Sequence, residues 1–298
     1  MSRITSLPGD ALQRHRQLCD DARQTESLTT MTIALTFLAV AFYFVATMLL
    51  LRRLALGAAA SERSRMPALL LGLAGVALHG FLVYQVIFLP QGLDLEFFHV
   101  VSLIAWLVAL LLLLAALTQP VENLGCVVLP LSALALVLQT VWPAAPNLLS
   151  RLSAEMQAHI LLSILAYSLL ALAAVQAMLL AIQDRHLRNR HPGGFIRALP
   201  PLETMERMLF HMIGLGFVLL SLSLLSGVLY LEDMFAQHLV HKTVLSVIAW
   251  LVFAVLLWGR WRSGWRGRKA IFWTLAGFVL LMTAYLGSKL VLELILHR

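Results

Sequence analysis

The chain has 298 residues, of which 60% are hydrophobic and only 12% are charged, and its mean hydropathy is +0.86. These values lie far from those of soluble proteins and exclude an ordinary two-domain soluble enzyme. The net charge of +7 comes from arginines clustered between hydrophobic runs, which indicates membrane topology and argues against a nucleic-acid partner.

The first 30 residues are polar, with four arginines against four acidic residues, and they contain no apolar core of a signal peptide. Their composition predicts a disordered tail, or a start codon assigned too early, because Met31 begins the first hydrophobic run directly. We therefore divide the chain into a tail at 1–30 and a membrane domain at 31–298.

Eight hydrophobic runs follow, each close to the length of about 20 residues that a membrane-spanning helix needs. Strands would alternate polar and apolar residues, which these runs do not do. The sequence thus predicts an all-α polytopic membrane protein. The predicted spans are 31–51, 67–89, 100–117, 124–142, 158–182, 208–229, 243–259 and 270–292.

Basic residues predict the orientation. The loops at 52–66, 183–207 and 260–269 contain four, five and five Lys or Arg residues. The alternate loops at 90–99, 143–157 and 230–242 contain none, one and one. Because basic loops stay in the cytoplasm, both termini are predicted to lie outside the cytoplasm. The predicted location of the protein is the inner membrane of a bacterial cell.

The predicted topology brings five of the ten histidines to the outer membrane surface. Clustered histidines can bind a metal or relay protons, although histidine also favours the interfacial zone for its polar edge. His238 and His241 are three residues apart and would share one helix face, but Lys242 beside them would repel a cation. The five outer histidines are His99, His159, His238, His241 and His297.

His79 falls near the middle of the second span, where an ionisable side chain is costly unless it is paired. It either faces the bundle interior with a partner or takes part in chemistry, and the sequence leaves both open. No nucleophile–base pairing, phosphate-binding loop or CxxC motif supports a conventional enzyme.

Five segments between Ala158 and His297 are distinctive, and in chain order they are HILLSILAYSLL, LETMERMLFHMIGLGFVLLSLSLLSG, IAWLVFAVLL, GWRGRKA and AYLG. Together they resemble the cytochrome c assembly family, the haem-handling membrane proteins of the CcsA and CcmC type. The resemblance is strongest to the short, HemX- and YpjD-like inner-membrane branch. It implies haem binding at the outer face by two histidines, at His159 and His297. His238 and His241 are nearby alternatives that do not lie on the family's ligand positions.

Two functional hypotheses follow from this resemblance. In the first, the protein binds haem at the outer face and presents it to a partner protein. In the second, it is an accessory membrane subunit of a transporter or ion-exporting complex, which keeps the fold without the family's tryptophan-rich haem platform. The second hypothesis rests on the segment from Gly227 to Trp250, which contains no tryptophan between its ends. Membrane lipid is an expected partner in either case.

The predicted orientation can be tested with fused reporters. A reporter attached after Arg298 should be active outside the cytoplasm, and one inserted at Gly193 should be active inside, because the arginines of the 183–207 loop hold it in the cytoplasm. A cytoplasmic signal from the carboxyl-terminal fusion would contradict the eight-span arrangement.

Overall fold

The computed structural model describes residues 9–56, 65–89, 92–142, 148–149, 153–189, 199–230 and 240–287. Within these ranges eight α-helices follow one another, which confirms the predicted all-α membrane fold. Seven of them are long and apolar enough to cross a membrane. The helices are α1 Gly9–Leu56, α2 Met66–Ile87, α3 Phe97–Thr118, α4 Gly125–Val141, α5 Ala154–Arg188, α6 Leu202–Tyr230, α7 Val240–Ser263 and α8 Arg268–Met282.

Both ends of the chain differ in part from the sequence expectation. Helix α1 begins at Gly9, so residues 9–30 are helical where the composition predicts a disordered tail. Its membrane-spanning part is Thr30–Leu56. At the other end, α8 continues as a π-helical segment, Thr283–Gly287. The rest of the eighth predicted span lies outside the described residues.

Local signals in the sequence set several helix starts. Ser153 caps α5 by accepting a hydrogen bond from the backbone N–H of Met156 at 3.3 Å. Glu96 caps α3 in the same way through the N–H of His99 at 3.0 Å. A proline in the first turn of α2 needs no intrahelical hydrogen bond there.

Three short strands that the sequence did not predict tie together the loops at one end of the bundle. The strands are β1 Phe88–Leu89, β2 Gly92–Asp94 and β3 Leu148–Leu149, paired antiparallel in the order β1-β2-β3. They bring the α2–α3 and α4–α5 connections together, both of which are predicted to be extracytoplasmic. We call this end of the bundle the outer end, and the opposite end the inner end.

Helix α5 joins the two halves of the bundle. Among the first four helices, α1 packs on α2 and α4, and α3 packs on α2 and α4. In the second half, α5 packs along α6 and also against α8, while α7 packs on α8. The contact of α5 with α3 connects the two halves of the bundle. Because α5 and α6 pack along each other, they determine the positions of the side chains between them.

The inner end is fastened by a carboxylate clamp around the GWRG segment, residues 264–267. The backbone N–H of Gly267 donates to Glu206 Oε1 at 2.7 Å, and Arg266 Nε donates to Glu206 Oε2 at 2.9 Å. Glu206 is buried, and its carboxylate raises the pKa of Arg266 through that hydrogen bond. Gly264 and Gly267 have φ values of +62° and +55°, a backbone conformation that favours glycine. The clamp therefore fixes the α7–α8 turn to the start of α6.

Removing the clamp should destabilise the protein. Glu206→Ala deletes the acceptor of two hydrogen bonds and should lower the free energy of unfolding by about 2–3 kcal/mol. Glu203→Ala is the matched control, since Glu203 is exposed and lies 4.0 Å from Arg266. Thermal unfolding in detergent measures both variants. Equal melting temperatures for the Glu206 variant and the wild type would contradict a stabilising role for the clamp.

Candidate functional site

The candidate site lies near the outer end, where the first turns of α5 face the last turns of α6. His159 Nδ1 is 3.1 Å from the carbonyl oxygen of Ser223 and 3.0 Å from Ser226 Oγ. The Ser226 hydroxyl itself donates to the Ser223 carbonyl at 2.8 Å. Because that hydroxyl proton is already used, Nδ1 must be the donor to both oxygens. The other ring nitrogen, Nε2, then carries the lone pair.

Ser163 on α5 extends these polar contacts by one turn. We call the four residues His159, Ser163, Ser223 and Ser226 the polar seam. Ser163 Oγ donates to the backbone carbonyl of His159 at 2.7 Å, and it lies 2.7 Å from Ser223 Oγ. The orientation of the imidazole is thus set by two oxygens of α6, and Ser163 adds a hydroxyl contact between the two helices. A histidine whose Nδ1–H is held by an oxygen acceptor and whose Nε2 is unprotonated is in the form that binds metals.

A cavity of about 230 Å³ opens beside this histidine. Its walls come from α3, α5, α6, α7, α8 and the π-helical segment that follows α8. The polar side chains on the walls include two hydroxyls from α7 and a lysine at the start of that helix. The polar lining residues are His159, Ser163, Tyr167, Ser223, Lys242, Thr243, Ser246 and Tyr285. Tyr167 is buried, and its hydroxyl has no hydrogen-bond partner among the described residues.

The other predicted ligands cannot be compared with this geometry. His238 and His297 lie outside the described residues, and for His241 the structure describes the backbone at the start of α7 only. Among the described residues, no group of three or more His, Cys, Asp or Glu side chains could hold a metal ion. Of the predicted site, His159 is therefore the residue whose surroundings are defined.

Comparison with known proteins places this arrangement in a family. The family model described as cytochrome C assembly protein matches residues 68–296, well over half of the chain. The chain belongs to the cytochrome c assembly family. The match begins in α2 rather than at Ala158, so the family-like region is longer than the sequence motifs alone indicated.

Similar proteins span several bacteria and an alga. The inner membrane protein YpjD of Escherichia coli K12 is 37% identical over 209 residues, which cover 69% of this chain and 78% of that protein. An uncharacterised 28.8 kDa protein of Azospirillum brasilense is 34% identical over 198 residues, covering 65% of this chain and 73% of its own. The cytochrome c biogenesis protein CcsA of Gloeothece citriformis is 32% identical over 101 residues, covering 33% of this chain and 31% of its own. No solved structure matches the chain significantly.

These findings agree with the helices in making the chain a multi-pass inner-membrane protein. The structure also shows what two of the family-like segments do in the fold. The segment that ends in SG places Ser226 against His159 and Gly227 on the cavity wall. The GWRG segment instead forms the clamp at the opposite end and lies away from the histidine.

Sequence reasoning missed the serines that hold His159. They carry a signal in the sequence, because Ser223 and Ser226 are three residues apart in the mostly apolar second half of α6 and so share one face. On α5, Ser163 follows His159 by four residues, so these two residues also share one face of their helix. A hydroxyl inside a membrane helix usually bonds its own backbone or a neighbouring helix, and here it does both.

His79 belongs to a separate polar cluster in the first half of the bundle. It is fully buried, with Nδ1 3.1 Å from the Tyr43 hydroxyl and Nε2 2.9 Å from Ser102 Oγ. The cluster joins α1, α2 and α3. Of the two readings that the sequence left open, the structure supports a histidine facing the bundle interior with partners.

The remaining outer histidine in the described part of the chain, His99, has a structural role at the start of α3. Its Nδ1 lies 3.3 Å from Asp94 Oδ2 and 3.8 Å from Glu96 Oε2. Asp94 also accepts a hydrogen bond from the backbone N–H of Glu96 at 3.1 Å. These contacts order the turn between β2 and α3.

The paired state of His79 predicts its mutational effect. His79→Ala leaves the Tyr43 and Ser102 hydroxyls without their partner in a water-free interior and should lower the free energy of unfolding by on the order of 2 kcal/mol. His211→Ala is the control, because His211 is exposed on α6. Thermal unfolding compares the two. An unchanged melting temperature for the His79 variant would show that the cluster does not stabilise the bundle.

Proposed function

We propose that this protein handles haem in cytochrome c biogenesis, binding haem at the outer face of the membrane and presenting it to a partner protein. The observation that carries the proposal is the orientation of His159. Its Nδ1–H is held by Ser223 and Ser226, so Nε2 is the atom free of a proton on the wall of the cavity. Membership of the cytochrome c assembly family and similarity to proteins named CcsA support the same role.

The residues of the cavity fit haem in their chemistry. An imidazole Nε2 is a common axial ligand of haem iron, and a hydrogen bond on Nδ1 raises its basicity. Haem also carries two carboxylates, and Lys242, which lines the same cavity, would neutralise one of them. The apolar side chains of Ile104, Ile164 and Leu220 would contact the macrocycle. Haem, when bound, supplies the iron centre, and the protein binds and orients it.

The size of the cavity indicates how haem would be held. About 230 Å³ is less than the roughly 300–1,000 Å³ of pockets that enclose most of a drug-sized ligand. A macrocycle bound here would therefore be covered in part and accessible in part. Partial coverage suits a protein that passes haem to another, because an acceptor has to reach it.

We propose His297 as the second axial ligand, with His238 and His241 as alternatives that lie on the same side of the predicted topology. This assignment rests on the family resemblance, in which two outer histidines share the iron. It also follows from the orientation predicted by the basic loops, which puts the end of α8 on the same side as the start of α5.

One observation favours the second hypothesis, an accessory subunit of a transporter or ion-exporting complex. No tryptophan occurs between Gly227 and Trp250, where the resemblance leads us to expect a tryptophan-rich haem platform. A protein that had lost haem binding could keep the seam of α5 and α6 for packing alone. The same experiment separates the two hypotheses.

The test is the absorption spectrum of the full chain purified after expression with ample haem. We expect a Soret band from the wild type. His159→Ala should abolish the band or shift it to a high-spin form, because an axial ligand is lost. Ser226→Ala should weaken haem binding by less than the roughly 10–100-fold that is typical when a ligand loses its hydrogen-bond acceptor, because the Ser223 carbonyl remains as an acceptor. His297→Ala should act like His159→Ala.

The matched control is His186→Ala, which removes a partly exposed histidine from the opposite end of the same helix. Its spectrum should equal that of the wild type. The absence of a Soret band from the wild type would contradict haem handling and favour the accessory-subunit hypothesis. A band that survives His159→Ala unchanged would show that haem is bound elsewhere.

A further inference from the structure

A second cavity lies at the inner end, between the last turns of α5 and the first turns of α8. Its volume is about 800 Å³, and it is separate from the His159 site, which lies near the outer end of α5. Four basic side chains and one acidic side chain line it, together with apolar residues of α8. The charged residues are Asp184, Arg185, Arg188, Arg268 and Lys269.

The charges in this cavity leave a strong positive excess. Asp184 is engaged by Arg188, whose Nη2 lies 3.0 Å from the carboxylate oxygen Oδ2. The salt bridges in the described part of the chain involve neither Arg185 nor Arg268 nor Lys269. These three side chains are exposed. The first turn of α8 also has no acidic residue, so the positive end of the helix dipole adds to the field.

Apolar side chains continue from the basic residues along α8. Ile271, Phe272 and Leu275 belong to the same cavity lining, and Phe272 is 66% exposed. Phe272 and the partly exposed Leu275 lie where the acyl chains of lipid reach the bundle, whereas Ile271 is buried. A free anion would not contact these apolar side chains, whereas a lipid with a negative headgroup would contact both the basic and the apolar residues of the cavity.

We propose that this cavity binds an acidic phospholipid. Arg185, Arg268 and Lys269 hold the phosphate, and the acyl chains run along Phe272 and Leu275. Basic pockets between membrane helices on the cytoplasmic side are a recognised place for such headgroups. Some basic residues at this end serve only to keep the loops in the cytoplasm, and such residues need not line a cavity. Arg52 and Arg262 are exposed at the same end and do not line this one.

The experiment uses the full chain purified in a neutral detergent. Phosphatidylglycerol, phosphatidylcholine and inorganic phosphate are titrated separately, and native mass spectrometry and thermal unfolding report binding. We expect phosphatidylglycerol to form a retained complex and raise the melting temperature. The double variant Arg185→Gln/Arg268→Gln should bind it at least about tenfold more weakly, since each basic residue near an acidic lipid contributes on the order of 1 kcal/mol.

The double variant Arg52→Gln/Arg262→Gln removes the same charge from the same end and is the control, with wild-type affinity expected. Phe272→Gln should weaken lipid binding as well, because the acyl chains lose an apolar contact. Equal binding of phosphatidylglycerol by the two double variants would overturn the proposal. So would equal stabilisation by phosphatidylcholine, or by inorganic phosphate at the same concentration.

Discussion

A polar group placed in the hydrocarbon region is costly unless it finds a partner within the protein, and this constraint shapes the contact between α5 and α6. No water is present there to replace a missing hydrogen bond. The seam between α5 and α6 meets the constraint with four side chains from two helices, each bonded to the other helix or to its own backbone. Small serine side chains also allow the two helices to approach closely. In the described part of the chain, the most extensive contact between two helices is therefore also the one that orients His159.

The two ends of the bundle differ in what their polar residues do. At the inner end, Glu206 binds a backbone N–H and an arginine, and Arg65 pairs with Glu122 at 3.3 Å, so carboxylates and cations satisfy each other. At the outer end, polar side chains line a cavity beside a histidine with one ring nitrogen directed by its neighbours. The paired charges of the inner end thus hold helices together, whereas the polar side chains of the outer end face a cavity.

Helix number and class were predictable from the sequence, because hydrophobic length and the positions of arginine depend on the bilayer rather than on tertiary contacts. The three strands were not, since β2 and β3 are only three and two residues long and form because the bundle brings their loops together. The helical state of residues 9–30 was likewise not evident from their polar composition.

The site was predictable in part for a similar reason. His159 was identified from the family resemblance, while the roles of Ser223 and Ser226 depend on how α5 and α6 face each other. The spacing of those serines can be read from the chain, but the helix that they contact cannot. The role of Lys242 also depends on the fold. In the sequence, its position beside His241 argues against a metal site. In the structure, it lines the cavity, where it suits a ligand that carries its own carboxylates.

The carboxylate clamp has a consequence for how the chain is built into the membrane. Glu206 and the Arg266 that closes on it are 60 residues apart, so the rest of α6 and all of α7 are synthesised before the clamp can form. The cavity at the outer end also takes part of its wall from α8 and the segment after it, at Leu281 and Tyr285. The clamp and the outer cavity thus both depend on residues that are synthesised after α7.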